Sequence, residues 1–312
     1  MFKPMARATL AAALLVCVAA CGEKTATDTA KVAQDTSTPD GTIRQSADLL
    51  KKGDIAGLMA HSLPPAEFAK AKADWSKDAN EDPITDEDRQ KFAETMAKLT
   101  APDAETTLYA EIEPQLTAFD AQYQQQVPMY VAMGSGWLQG MVQQSKDMSE
   151  ESKQQAIAAI NALAAWVQKT RFTEPESVKK VLAIASRAAR EMNLKTLDEA
   201  RALSFEQSMD KGRIAFLALK EALAVYGFSI DQTLDSVKPE VLSNDGKTAK
   251  VKVGYTLLGT PLAMETELVN REGRWYGKEA LDKLAEARAE ATASEPAVAP
   301  ADAPADAAPA AE

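Results

Sequence analysis

Residues 250–277 read KVKVGYTLLGTPLAMETELVNREGRWYG, and their apolar period is two: Val251, Val253, Tyr255 and Leu257 alternate with Lys250, Lys252, Gly254 and Thr256. Successive side chains of a strand point to opposite faces, so this alternation is that of a half-buried strand. Asn244-Asp245-Gly246 marks a turn before it, Gly259-Thr260-Pro261 another after it, and Arg271-Glu272-Gly273 a third. The spacing predicts an antiparallel meander from about Val237 to Tyr276, closed by a helix from Lys278 to Ala289.

Upstream of Ile230 the period is helical. Ile214 to Phe228 is apolar nearly all round except Lys220 and Glu221, which predicts a central buried helix, and fifteen residues fall short of the roughly twenty that a membrane span needs. Thr173-Glu174-Pro175-Glu176 and Thr196-Leu197-Asp198-Glu199 both fit a capping box, starting helices that run to about Met192 and Tyr226. Ile157, Ile160, Leu163 and Val167 recur at helical spacing after Ser149. Thr85-Asp86-Glu87-Asp88 opens a helix to Leu99 with acids in the first turn, where the helix dipole favours them. Earlier still come a short helix around Ile43 to Lys51, a Gly-Asp break, and a second helix around Ile55 to Ala60 before Pro64-Pro65. The fold class that follows is mainly α with a small C-terminal antiparallel β-meander (α+β), and no repeat of solenoid length stands out.

The two ends have other compositions. Lys3 and Arg7 precede an uncharged run from Ala8 to Ala20 that ends in small residues, the layout of a secretory signal. Its thirteen residues rise about 20 Å, short of the ~30 Å hydrocarbon core of a bilayer. The chain has two cysteines, Cys17 inside this run and Cys21 just after it; their spacing is not the Cys-x-x-Cys of redox sites, and no further thiol exists for a zinc site. Thr25 to Asp40 is rich in Thr, Asp and Ala and reads as a flexible tether, while the Pro, Ala and acid of the last residues read as a disordered tail. The expected organisation is a signal over 1–20, a tether over 21–40, a helical domain over 41–230, the meander and closing helix over 231–290 packed on it, and a tail over 291–312.

Val18-Ala19-Ala20-Cys21 resembles a bacterial lipobox, an aliphatic residue and two small ones before a cysteine. The resemblance implies cleavage between Ala20 and Cys21, a diacylglycerol thioether on Cys21 and an acylated (palmitate-bearing) amino group. Two or three acyl chains together hold stably to a membrane. Gly22 follows where an Asp would retain many such lipoproteins at the inner membrane, which implies the outer membrane, facing the periplasm. Cleavage takes the formal charge from −11 to −13, an acidic balance that nucleic acid repels.

The catalytic inventory is thin. His61 is the one histidine and the mature chain keeps no free thiol, which removes Cys-His pairs and leaves a Ser-His-Asp triad only if His61 is its base. Lying at a predicted helix end, His61 fits a local structural role with terminal carbonyls. Gly134-Ser135-Gly136-Trp137-Leu138-Gln139-Gly140 has the look of a dinucleotide loop but lacks the parallel βαβ context that gives such glycines their use. The Asp82, Asp86, Glu87, Asp88 cluster lacks the order of an EF-hand, and Glu111 and Glu113 point apart on a helix, so neither a metal nor a cofactor is expected.

The most distinctive internal stretch is Ala121 to Ser145, 25 residues without a charge, with seven glutamines. If Val127 to Gln143 is helical, Tyr130, Met133, Trp137 and Met141 share one face, and Gly136 and Gly140 would let another helix approach closely. Two readings stand: a buried core helix, or a face or groove for an apolar ligand or another envelope protein, since Met and aromatic side chains adapt to varied surfaces.

LLKKGDIAGLMAHSLP (residues 49–64) and the stretch ending in Gly273-Arg274-Trp275 resemble the bounding pieces of NTF2-like small lipoprotein domains, which implies a helix pair with a Gly-Asp break packed on a curved meander. The function expected is a membrane-anchored, non-enzymatic binding or scaffolding module. The alternatives are a carboxylate-based envelope hydrolase acting on peptidoglycan or glycan, and a passive envelope protein.

Overall fold

The computed structural model describes residues 37–78, 83–146 and 148–294, with side chains at all of these except 76–78, 121–125 and 288–294. The signal, the lipobox residues Ala20 and Cys21, nearly all of the tether and the tail beyond Ser294 lie outside the described residues.

The alternating stretch builds the middle of a four-stranded antiparallel sheet in the order β1-β2-β3-β4, with β1 Lys238–Asn244, β2 Thr248–Leu257, β3 Thr260–Arg271 and β4 Arg274–Gly277. One turn differs from expectation. Leu258 and Gly259, both at positive φ (51° and 84°), join Leu257 to its partner Thr260, so Thr260 and Pro261 belong to β3. Two residues at positive φ match the right-handed twist of the flanking strands, and Pro261 sits beyond the reach of β4, which pairs with β3 only from Leu268 on, so its missing N–H costs no ladder bond. Glu272 and Gly273 make a second turn of the same kind.

Eleven helices complete the described residues: α1 Pro39–Lys52, α2 Ile55–Ser62, α3 Pro65–Asp78, α4 Asp86–Thr100, α5 Ala104–Gln144, α6 Glu150–Lys169, α7 Pro175–Met192, α8 Leu197–Arg201, α9 Phe205–Val225, α10 Ile230–Asp235 and α11 Lys278–Ser294. Thr38 caps α1, which therefore begins inside the stretch read as tether. Gly53 closes α1 in the left-handed region and Asp54 caps α2, which is the Gly-Asp break. Thr85 and Asp88 form a capping box at α4, and Ser149 caps α6.

Three helix expectations change. The cap of α7 is Glu174, whose carboxylate accepts from the Ser177 N–H at 2.6 Å; this puts Pro175 at the first helical position, where its ring is best tolerated, and frees the Thr173 hydroxyl for Asp120. The helix expected from Thr196 to Tyr226 is two, because Ser204 and Gln207 form a second capping box that restarts the chain as α9. Nor is α9 buried all round. Leu219 is 53 % exposed, whereas Lys220 is 6 % exposed, with its ammonium on the Lys51 carbonyl at 2.6 Å and on Asp231 at 2.5 Å.

The core is shared by the sheet and the helices around it. Val251, Val253, Tyr255, Leu262 and Leu268 pack with Leu49 and Leu50 of α1, Leu58 of α2, and Ile230 and Leu234 of α10. Trp275 completes this cluster and donates its indole N–H to the Ser37 carbonyl at 2.8 Å, tying down the chain just before α1. On the other flank α6 meets β3, where Gln155 accepts the Ala263 N–H at 2.9 Å. An aromatic knot holds the far end of α6: Trp166 meets Phe172 and Phe228 edge-on and donates to the Tyr226 carbonyl at 2.8 Å.

Candidate functional site: an exposed apolar face on the long helix

The stretch that carries the sequence-read candidates lies in α5, which runs 41 residues through both Pro114 and Pro128. At about 1.5 Å per residue such a helix is roughly 60 Å long. Its first half packs against α4 and α7, with Leu108, Ile112 and Leu116 half-buried. That packing ends at a polar clamp. Asp120 accepts two bonds from Arg171 (3.2 and 2.5 Å) and one from Thr173 (2.5 Å), all from the loop between α6 and α7. These bonds, Arg171 first, pull the Asp120 carboxyl below its usual range.

Past the clamp the second half of α5 lies against α6, and Gln139 donates to Asn161 at 2.9 Å. Val131, Ser135 and Val142 share Gln139's face and are half-buried. The opposite face is bare: Tyr130 is 52 % exposed, Met133 66 %, Trp137 66 % and Met141 54 %, with Met129 and Leu138 exposed on the flanks. The structure thus brings the four candidate residues onto one helical face and places that face in solvent, so the buried-core reading does not hold for them. Among the described residues, a Cβ built on Gly134, Gly136 or Gly140 would meet nothing within 4 Å.

Other candidates resolve into structural roles. His61 is buried in the last turn of α2, the helix end expected, but its Nε2 lies 3.0 Å from the Thr42 carbonyl in the first turn of α1. Burial chiefly, with Arg274 nearby, lowers its pKa against the opposing pull of the Thr42 bond, so the ring is a neutral donor near pH 7. Glu111 is exposed and pairs with Lys98, while Asp86 and Asp88 serve the first turn of α4. Among the described residues no three of His, Cys, Asp and Glu converge as a metal site. A cleft of about 210 Å³ lies beside α1 and α10, edged by Arg44, Asp48, Lys51 and Asp235, smaller and more charged than a pocket for an apolar ligand.

Sequence reasoning placed the four residues on one face but could not tell solvent from core. The signal available was the second face, Val131, Gln139 and Val142, already able to serve the internal contact. Compared with protein-family models, curated proteins and solved structures, the chain matches none.

Proposed function

We propose that this chain is a lipid-anchored protein of the periplasmic face of the outer membrane that acts as a non-enzymatic binding or scaffolding module, with the bare face of α5 as its binding surface. The observation that carries the reading is the exposure of Tyr130, Met133, Trp137 and Met141 in one contiguous, uncharged stripe. Apolar patches of this kind are uncommon on monomers and mark interaction surfaces. Aromatic and Met side chains are also those enriched at interface centres. Support for the anchor comes from Val18-Ala19-Ala20-Cys21, and for the outer membrane from Gly22. Among the described residues no helix is long and apolar enough to cross a membrane, and in this reading the lipid on Cys21 makes the attachment. For the alternative of a carboxylate hydrolase, Asp88 is engaged in the cap of α4 and Asp86, Glu87 and Glu111 in exposed ion pairs, while Asp82 lies outside the described residues.

Two experiments test the reading. Labelled palmitate enters the wild type and not Cys21→Ser; label in both contradicts the anchor. Chemical cross-linking in intact cells captures a partner with the wild type and loses at least tenfold of it with Trp137→Glu, as expected for an aromatic at the centre of an interface. Undiminished capture with an unchanged circular dichroism spectrum contradicts the binding surface.

A further inference from the structure

We infer that the bare face of α5 pairs with the same face of a second copy of this chain, forming a twofold-symmetric dimer through a helix–helix seam. The inference rests on the binding-surface reading above and names its occupant.

The register of the face is that of a helix partner. Ile112, Phe119, Gln126, Tyr130, Met133 and Trp137 follow at intervals of seven, seven, four, three and four residues, the heptad spacing with which helices mesh knobs into holes. Gln126 is the polar member. At its N-terminal end this register is half-buried within the chain at Ile112, where α5 packs on α4 and α7, and past the Asp120 clamp it continues uncovered. The missing layer is thus one more helix. The open glycines fit the same occupant, since Gly134, Gly136 and Gly140 leave space for another backbone to come close.

Charge and area select a second copy over a foreign helix or a lipid surface. Partner choice between helices is written in flanking charges, and from Ala121 to Ser145 there are none. A neutral seam is complementary to itself, and in an acidic chain this 25-residue uncharged run lets two copies meet without like charges facing each other along it. A lipid-binding helix would border its apolar face with Lys and Arg, which this stretch lacks. With about 150–250 Å² for each aromatic side chain, and the long methionines taken as similar in size, the exposed fractions of Phe119, Met129, Tyr130, Met133, Trp137 and Met141 amount to roughly 700 Å² per copy. A standard stable interface buries about 800 Å² per partner.

The test is sedimentation equilibrium of the chain begun at Gly22, which keeps every described element and carries no cysteine. The wild type sediments at twice the monomer mass, as does Leu219→Glu, a charge placed on an exposed leucine of α9. Trp137→Glu and, separately, Met133→Glu raise the dissociation constant by at least about thirtyfold, as loss of a central anchor does. A monomeric wild type overturns the inference, as does a dimer that survives both substitutions with unchanged helicity. Binding of the monomer to phosphatidylethanolamine vesicles in place of dimerisation also overturns it. Capture of a different protein in cells through the same face, with a monomer in solution, would remove the second copy and leave the binding-surface reading standing.

Discussion

Thr42 and His61 show how one buried hydrogen bond joins two helices and makes folding sensitive to acid. The ring of His61 is buried as the neutral form against the Thr42 carbonyl, and its pKa lies below the ordinary 6.5. Protonation therefore occurs first in the unfolded chain. The stability from this site is fully present above about pH 6.5 and is lost as pH falls toward the folded-state pKa. Since His61 is the only histidine, the C2 proton of the single imidazole reports it directly, and its midpoint is expected below 6.5 in the folded protein; a midpoint at or above 6.5 contradicts the buried-neutral assignment. A second residue gives a test of opposite sign. Ser186 on α7 is fully buried and its hydroxyl has no hydrogen-bond partner among the described residues, so Ser186→Ala removes a desolvation penalty and raises unfolding free energy by roughly 1 kcal/mol in a denaturant titration.

Among the elements, α5 is the least economical. Pro114 and Pro128 each remove a backbone donor and crowd the carbonyl four residues earlier, at a cost of up to about 3 kcal/mol per site in a helix interior. Pro128 is exposed, so no packing is lost when its ring is removed. Pro128→Ala is expected to raise the thermal midpoint while leaving far-UV ellipticity equal or stronger, and a lower midpoint would show that the ring supports the helix in a way its exposure hides. The same element shows where sequence reading stops. The two-residue period of Val251 to Leu257 encodes burial directly, because the pleat fixes which side chains face the helices, and the strands are found where that period put them. Capping chemistry was equally local: Thr85 and Thr196 start helices as their spacing implied, and Ser149 caps the helix expected after it. Thr173 did not, since the choice between it and Glu174 turned on Asp120, 53 residues away. Ser204 restarts a helix from a capping box that is visible in sequence once sought.

For the whole molecule, the decisive distinction was not local at all. Tyr130, Met133, Trp137 and Met141 form the stripe that a core helix would show, and only the arrangement of α6 and α7 around α5 leaves it uncovered. Lys220 and Leu219 make the complementary point: the lysine is buried because Lys51 and Asp231 converge on it, and its apolar neighbour faces water. The described residues thus form a shared core of sheet and helices from which one long, uncharged helical face remains bare. The measurement that tests this account most directly is photocrosslinking in intact cells from a benzoylphenylalanine placed at position 133 or, as a control of similar exposure, at position 219. The account predicts a defined protein adduct from position 133 and none from position 219. Equal adducts from both positions, or none from position 133, would contradict the claim that this face is where the protein binds.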